Sequence, residues 1–342
     1  MNSLARARLR GRASLSAHSI ARPSLVAAAG IIIGGLTLGS ALAQQPGATS
    51  TVGVLDGRPA TAISLIDRSQ LAPGLAEIRV GTAGVDAATN RLLALSPDAG
   101  MAAVASHLGP EPATLMLARR DGTQLRAPLT GLIGAGFSPD GTWLAALDGS
   151  GAAWRISTAT ATAVRIAEGP FLGSPIVEPD GSLIALRVSS VEAPISSRLV
   201  RIGTDGVVSF LADEQLVYSA ERLADGTIAY VAHRAAGTYV MRLSDGRSMQ
   251  LADLGQDAVN VSLAPAADAV AYERAGALFL RGIGDSAGVP LGAGSRPRFA
   301  PDGRTVLVER GTGSALLARD GRQLGAFEGQ ASFASCDGEC GQ

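Results

Sequence analysis

Lysine is absent from this chain of 342 residues, because all 29 basic residues are arginine. That absence excludes a P-loop lysine that holds phosphate, a Schiff-base lysine and a lysine general base. Charged residues make up only 17% of the chain and aromatic residues only 4%, whereas 46% is hydrophobic and 43 residues are glycine. A chain this apolar does not stay disordered, and it can build a large hydrophobic core.

Cysteine and histidine are also scarce. Cys336 and Cys340 are the only cysteines, and we predict that they close a small disulfide loop in an oxidising compartment. His107 and His233 are the only histidines after the first 43 residues. A metal held between these two histidines is an open alternative, but the sequence favours no metal and no other cofactor.

The N-terminus has the pattern of an export signal. Five arginines and no acidic residue precede an apolar stretch that runs from Leu25 to about Gly39, and Ala41 and Ala43 supply the small residues of a cleavage site. The alternative is an uncleaved anchor, but four glycines interrupt the stretch, which is barely long enough to span a bilayer. We therefore predict a signal peptide over residues 1–43 and a periplasmic or secreted protein with no stable membrane span after cleavage.

Cleavage would leave a mature chain with a net charge of −6, because it removes five arginines and no acid. No basic stripe stands out in the remaining sequence. Nucleic acid and anionic lipid are therefore poor partners for this surface.

A short turn phrase recurs along the mature sequence, as in Phe137-Ser138-Pro139-Asp140-Gly141. Proline presets φ, aspartate bonds its own backbone and glycine accepts a positive φ, so the phrase predicts a tight turn between two strands. Copies of the turn aspartate stand at Asp98, Asp140, Asp180, Asp225 and Asp302, with a degraded copy at Asp268. We assign these aspartates a structural role in the turns, in preference to calcium binding.

A second Asp-Gly marker follows the first in most repeats, as in Thr204-Asp205-Gly206. Short strand-like segments stand just before this position, at 115–117, 153–156, 199–202, 239–243, 278–280 and 315–318. Two hairpin turns in about 40 residues give four strands per repeat, which is the unit of a β-propeller. The predicted fold is all-β, with six or seven four-stranded blades and seven slightly preferred.

These residues resemble the TolB-like, WD-repeat-like propeller repeat family over residues 90–329. The resemblance implies a propeller fold. It does not extend to the α/β domain that precedes the propeller in TolB. Residues 44–89 form either a first blade or a strand segment that latches onto the last blade, since Asp56 is in register with Asp98. Residues 330–342 form a C-terminal tail that carries the cysteines.

Gly284-Asp285-Ser286-Ala287-Gly288 matches the nucleophile elbow of esterases. Val289-Pro290 does not begin the helix that such an elbow requires, and Asp285 stands where other repeats have their second turn. We interpret this segment as a turn. Trp143 and Trp154 lie in predicted strands, where core packing is expected.

The sequence predicts a non-catalytic module, because a propeller presents loops on a rigid frame. We expect a monomer that binds a protein partner in the cell envelope or outside the cell. The alternative is a propeller enzyme, a lactonase or a lyase-type hydrolase, with a metal in the central channel.

Overall fold

The computed structural model describes residues 50–55, 64–67, 75–79, 91–106, 113–119, 121–190 and 196–333. All regular structure in these ranges is β-strand. Within them, no helix is long and apolar enough to cross a membrane. The predicted signal peptide, His107, Cys336 and Cys340 lie outside the described residues.

The first three strands come from the N-terminal part of the chain: β1 (Ser50–Leu55), β2 (Ser64–Asp67) and β3 (Leu75–Arg79). Six four-stranded antiparallel sheets follow, each built from four consecutive strands. Blade 1 comprises β4 (Arg91–Leu95), β5 (Met101–Ser106), β6 (Thr114–Arg119) and β7 (Gln124–Thr130). Blade 2 comprises β8 (Leu132–Phe137), β9 (Trp143–Asp148), β10 (Ala152–Ser157) and β11 (Ala163–Glu168). Blade 3 comprises β12 (Phe171–Val177), β13 (Leu183–Ser190), β14 (Ser196–Ile202) and β15 (Val208–Phe210).

The second half of the ring repeats this plan. Blade 4 comprises β16 (Val217–Arg222), β17 (Ile228–Arg234), β18 (Gly237–Ser244) and β19 (Arg247–Gly255). Blade 5 comprises β20 (Val259–Leu263), β21 (Ala269–Arg274), β22 (Ala277–Gly282) and β23 (Val289–Ala293). Blade 6 comprises β24 (Ser295–Phe299), β25 (Thr305–Arg310), β26 (Gly313–Ala318) and β27 (Gln323–Glu328), and one more strand, β28 (Gln330–Phe333), follows it. The prediction of an all-β propeller with six or seven blades is confirmed.

A seventh sheet joins the N-terminal strands to the end of the described chain, in the order β2-β3-β1-β28. It differs from the blades because β1 pairs in parallel with β3, while β1 and β28 are antiparallel. β28 contacts β4 of blade 1 and β26 of blade 6, and the backbone N–H of Leu92 donates to Gln330 Oε1 at 3.1 Å. Pairing of this kind protects strand edges that would otherwise be open.

The hydrophobic core lies between successive blades. Leu115 and Leu117 of blade 1 pack in one buried cluster with Leu144 and Ile156 of blade 2. Similar clusters join blades 2 and 3, 3 and 4, 4 and 5, and 5 and 6. The middle strands are buried on both faces, as β9 is along its whole length, because each blade is covered by a neighbour on either side.

Inner strands of neighbouring blades approach so closely at one point that only glycine fits. A side chain on Gly134 of β8 would overlap the carbonyl oxygen of Gly173 on β12, and one on Gly136 would overlap that of Pro175. This contact fixes blade 2 against blade 3 beside the channel.

Candidate binding site in the central channel

The first strand of each blade lines the channel, and each runs towards the turn phrase that follows it. Residues at the same distance before the turn proline of each blade therefore form a layer around the channel. In blade 4, Ala224 stands in place of the turn proline. The first layer lies three residues before this position in each blade and contains Ala94, Gly136, Ile176, Glu221, Ser262 and Arg298. The second layer lies two residues before the first layer and contains Leu92, Gly134, Ser174, Ser219, Asn260 and Arg296. Blades 1 to 3 are apolar in the first layer, whereas blades 4 to 6 are polar.

A cavity of about 720 Å³ opens at the start of the inner strands, on the side of blades 3 to 6. We call this opening the entry mouth. Two large apolar side chains that line it are exposed, Tyr218 by 58% and Val259 by 50%, and Leu172, exposed by 44%, directly precedes the lining residue Gly173. Asp257, Asn260 and Arg296 add charged and polar groups to the same cavity. Exposed apolar groups ringed by polar ones are typical of a binding surface.

The backbone is strained at this mouth. Asn260 and Arg296 occupy the same position on β20 and β24, and both have a left-handed φ, of 47°. The pairing register between β20 and β21, and between β24 and β25, shifts at these residues, which marks a β-bulge in each blade. Bulges of this kind redirect side chains next to functional sites.

Glu221 lies deeper in the channel. Its carboxylate Oε2 accepts a hydrogen bond from the backbone N–H of Leu263 at 3.0 Å and lies 3.4 Å from Ser262 Oγ. Ser262 Oγ in turn accepts from the N–H of Phe299 at 3.2 Å, so these contacts link blades 4, 5 and 6. Burial raises the pKa of Glu221 to about 7, although these hydrogen bonds and the charge of Arg298 act in the opposite direction.

His233 lies on β17 at the entry mouth. Its Nδ1 is 3.2 Å from Thr238 Oγ1, and its ring packs edge-on against Tyr218 with the ring centroids 5.9 Å apart. These contacts hold the tyrosine in place at the mouth.

The opposite opening, which we call the turn mouth, is lined by the turn prolines Pro97, Pro139, Pro179, Pro265 and Pro301. Its cavity measures about 530 Å³ and meets the entry cavity at Glu221 and Arg298.

The turn aspartates bond to their own turns. Asp140 Oδ1 accepts from Ser138 Oγ at 2.6 Å and from the N–H of Thr142 at 3.0 Å. Asp98, Asp180, Asp225 and Asp302 each accept from the backbone N–H two residues later. Asp268, in the degraded copy, accepts instead from both terminal nitrogens of Arg319.

Ser286 lies in an exposed turn between β22 and β23, so a strand follows it and not a helix. Trp143 is buried between blades 2 and 3, and Trp154 donates from Nε1 to Asp148 Oδ2 at 2.6 Å. Within the described part of the chain, no three His, Cys, Asp or Glu side chains are grouped as a metal site would need.

The sequence interpretation did not identify Glu221, Arg298 or Tyr218. A signal for the first two was present: counting back from each turn proline places a glutamate and an arginine where blades 1 to 3 have apolar residues. Their convergence depends on ring closure, which no single repeat reveals.

No family model and no curated protein matches this sequence. Among solved structures, TolB from Acinetobacter baumannii is 17% identical with a TM-score of 0.51, over 73% of this chain and 68% of that one. An oligogalacturonate lyase in complex with manganese is 13% identical with a TM-score of 0.52, over 68% of this chain and 75% of that one. The tricorn protease is 12% identical with a TM-score of 0.57, over 85% of this chain but 35% of that one. At such identities these likenesses show the propeller fold alone.

Proposed function

We propose that this chain is an exported, non-catalytic β-propeller that binds another protein of the cell envelope at its entry mouth. The observation that best supports the proposal is the pair of exposed apolar side chains Tyr218 and Val259, which stand at the same position on the consecutive blades 4 and 5 and line one cavity. The export pattern of residues 1–43 and the likeness to TolB-type propellers support the envelope location.

The entry mouth suits an extended segment of a partner. Such a segment would place apolar side chains against Tyr218 and Val259 and a polar group near Asn260. Aromatic anchors around a desolvated centre contribute most of the binding energy at protein interfaces. Because the frame is rigid, this chain itself loses little conformational entropy on binding.

A charged substitution at the mouth tests the proposal. Val259→Asp should weaken binding of the partner from envelope extract at least tenfold, while the melting temperature stays unchanged. Met249→Asp is the matched control, because Met249 is 55% exposed but lies on the outer strand β19. Equal partner binding by the Val259→Asp variant and the wild type would contradict the proposal.

A propeller enzyme is the second candidate, and Glu221 is the observation that favours it. A carboxyl group with a pKa of about 7 in a channel has the property of a general acid or base. Incubation with oligogalacturonate and Mn²⁺ tests this candidate. Turnover that Glu221→Gln abolishes would favour the enzyme over the binding module.

A further inference from the structure

A third, smaller cavity of about 280 Å³ opens off the channel beside β4, β24 and β28. Its charged lining consists of Arg91, Arg296, Arg298 and Glu309. Three guanidinium groups face one carboxylate, so this cavity, which we call the arginine pocket, has an excess of two positive charges.

Within the lining of the pocket, Arg91 and Arg298 are the two guanidinium groups that are not paired with its carboxylate. Arg296 Nη1 lies 3.4 Å from both carboxylate oxygens of Glu309, so that pair compensates itself. Arg91 uses only Nη2, which donates to the carbonyl oxygens of Leu132 at 2.6 Å and Ile133 at 3.0 Å. Two backbone carbonyls orient this side chain but do not neutralise it.

Arg298 is the residue on which the cavities converge. It lines the entry cavity, the turn-mouth cavity and the arginine pocket. Its side chain is exposed to the channel and forms no hydrogen bond or ion pair with any residue in the described ranges. A guanidinium group presents a planar fork of donors that matches a carboxylate, and here that fork is open.

We propose that the arginine pocket binds a small dicarboxylate, with one carboxylate on Arg298 and the other on Arg91. The two guanidinium groups come from β4 and β24, the inner strands of blades 1 and 6, and both line the pocket, so a ligand with an anionic group at each end can contact both. The pocket is at the lower end of the volumes that ligand sites have, which fits a small molecule. The hydroxyl of Ser174 adds a further polar group. The pocket shares Ser174, Arg296 and Arg298 with the entry cavity, but Tyr218 and Val259 do not line it.

Isothermal titration of the full mature protein with succinate at pH 8 and low salt tests the proposal. We expect saturable binding of one succinate, and binding of butyrate, which has a single carboxylate, at least ten times weaker. Inorganic phosphate is the third ligand. Absence of saturable succinate binding, or phosphate binding tighter than that of succinate, would overturn the assignment.

Variants of Arg298 and of Glu221 should change the affinity for succinate in opposite directions. Arg298→Gln should weaken binding at least tenfold, whereas Glu221→Gln removes a negative charge near Arg298 and should tighten it several-fold. Arg322→Gln is the control, because that side chain is 69% exposed in the last turn of blade 6. If Arg298→Gln does not fold, Arg298→Lys keeps the charge, loses the fork and should still weaken binding several-fold. Unchanged affinity in a folded Arg298 variant would contradict the proposal.

Discussion

Glu221 occupies a channel position that is apolar in the first three blades. Its carboxyl group binds a proton more tightly in the folded protein, with a pKa of about 7, than in the unfolded chain, where its ordinary value is 4.5. Between these two pH values the folded state holds more protons than the unfolded state. The contribution of Glu221 to the free energy of unfolding therefore falls as the pH rises through this window.

Glu221→Gln should abolish that pH dependence. The amide oxygen can still accept from Leu263, but it carries no charge to desolvate. Each pKa unit corresponds to about 1.4 kcal/mol and the shift is from 4.5 to about 7, so we expect the variant to be more stable than the wild type by roughly 3 kcal/mol at pH 8 and about equal at pH 4.5. Urea unfolding at both pH values measures this difference. Equal stability of the two proteins at pH 8 would contradict the account of Glu221.

Asp140 represents the turn aspartates. Hydrogen bonds from Ser138 and Thr142 hold its pKa below the ordinary value. Asp140→Ala removes these acceptors and should lower the free energy of unfolding by about 1 kcal/mol. Asp213→Ala is the control, because Asp213 is exposed and its side chain forms no hydrogen bond within the described ranges. Loss of partner binding in Asp140→Ala with an unchanged melting temperature would indicate a functional role instead.

At the scale of the elements, the sequence alone predicted the blades well. The apolar segments 115–117, 153–156, 199–202, 239–243, 278–280 and 315–318 all lie within the third strands of their blades. These strands were predictable because turn chemistry and alternation are local signals. The parallel pairing of β1 with β3 was not predicted, since it joins segments whose register depends on the closed ring and not on a turn.

The close contact between β8 and β12 can be tested by a substitution at Gly134. Gly134→Ala places a methyl group against the backbone carbonyl of Gly173, and a backbone atom cannot move aside cheaply. We expect a loss of about 1–3 kcal/mol of unfolding free energy, as for other overpacked sites. Gly325→Ala is the matched control, because a side chain there meets nothing within 4 Å. Equal melting temperatures for the two variants would show that blades 2 and 3 are not locked at this point.

For the molecule as a whole, the propeller fold followed from the repeat spacing, but the candidate binding site did not. Repeats specify what the blades share, whereas a site is made from what differs between them. Tyr218, Val259 and Arg298 are such differences. The sequence of a single strand does not indicate that these residues belong to a site. Only the ring places them around one channel.

Residues 1–43 have the pattern of an export signal. Signal peptidase should cleave after Ala43, because small residues follow the apolar stretch there. Mass spectrometry of the protein from the envelope of its native host should therefore find an N-terminus at Gln44. An intact Met1 terminus in that fraction would show that the segment remains as an anchor.

Photo-crosslinking in living cells of the native host tests directly whether a partner protein binds at the entry mouth. A photoreactive amino acid in place of Tyr218 at the entry mouth should form a covalent adduct with one envelope protein. The same group in place of Met249, equally exposed on the outer strand β19, should form no such adduct. Addition of Val259→Asp to the Tyr218 probe should abolish the adduct. An adduct of equal yield at both positions, or none at position 218, would contradict the assignment of the entry mouth as the binding site.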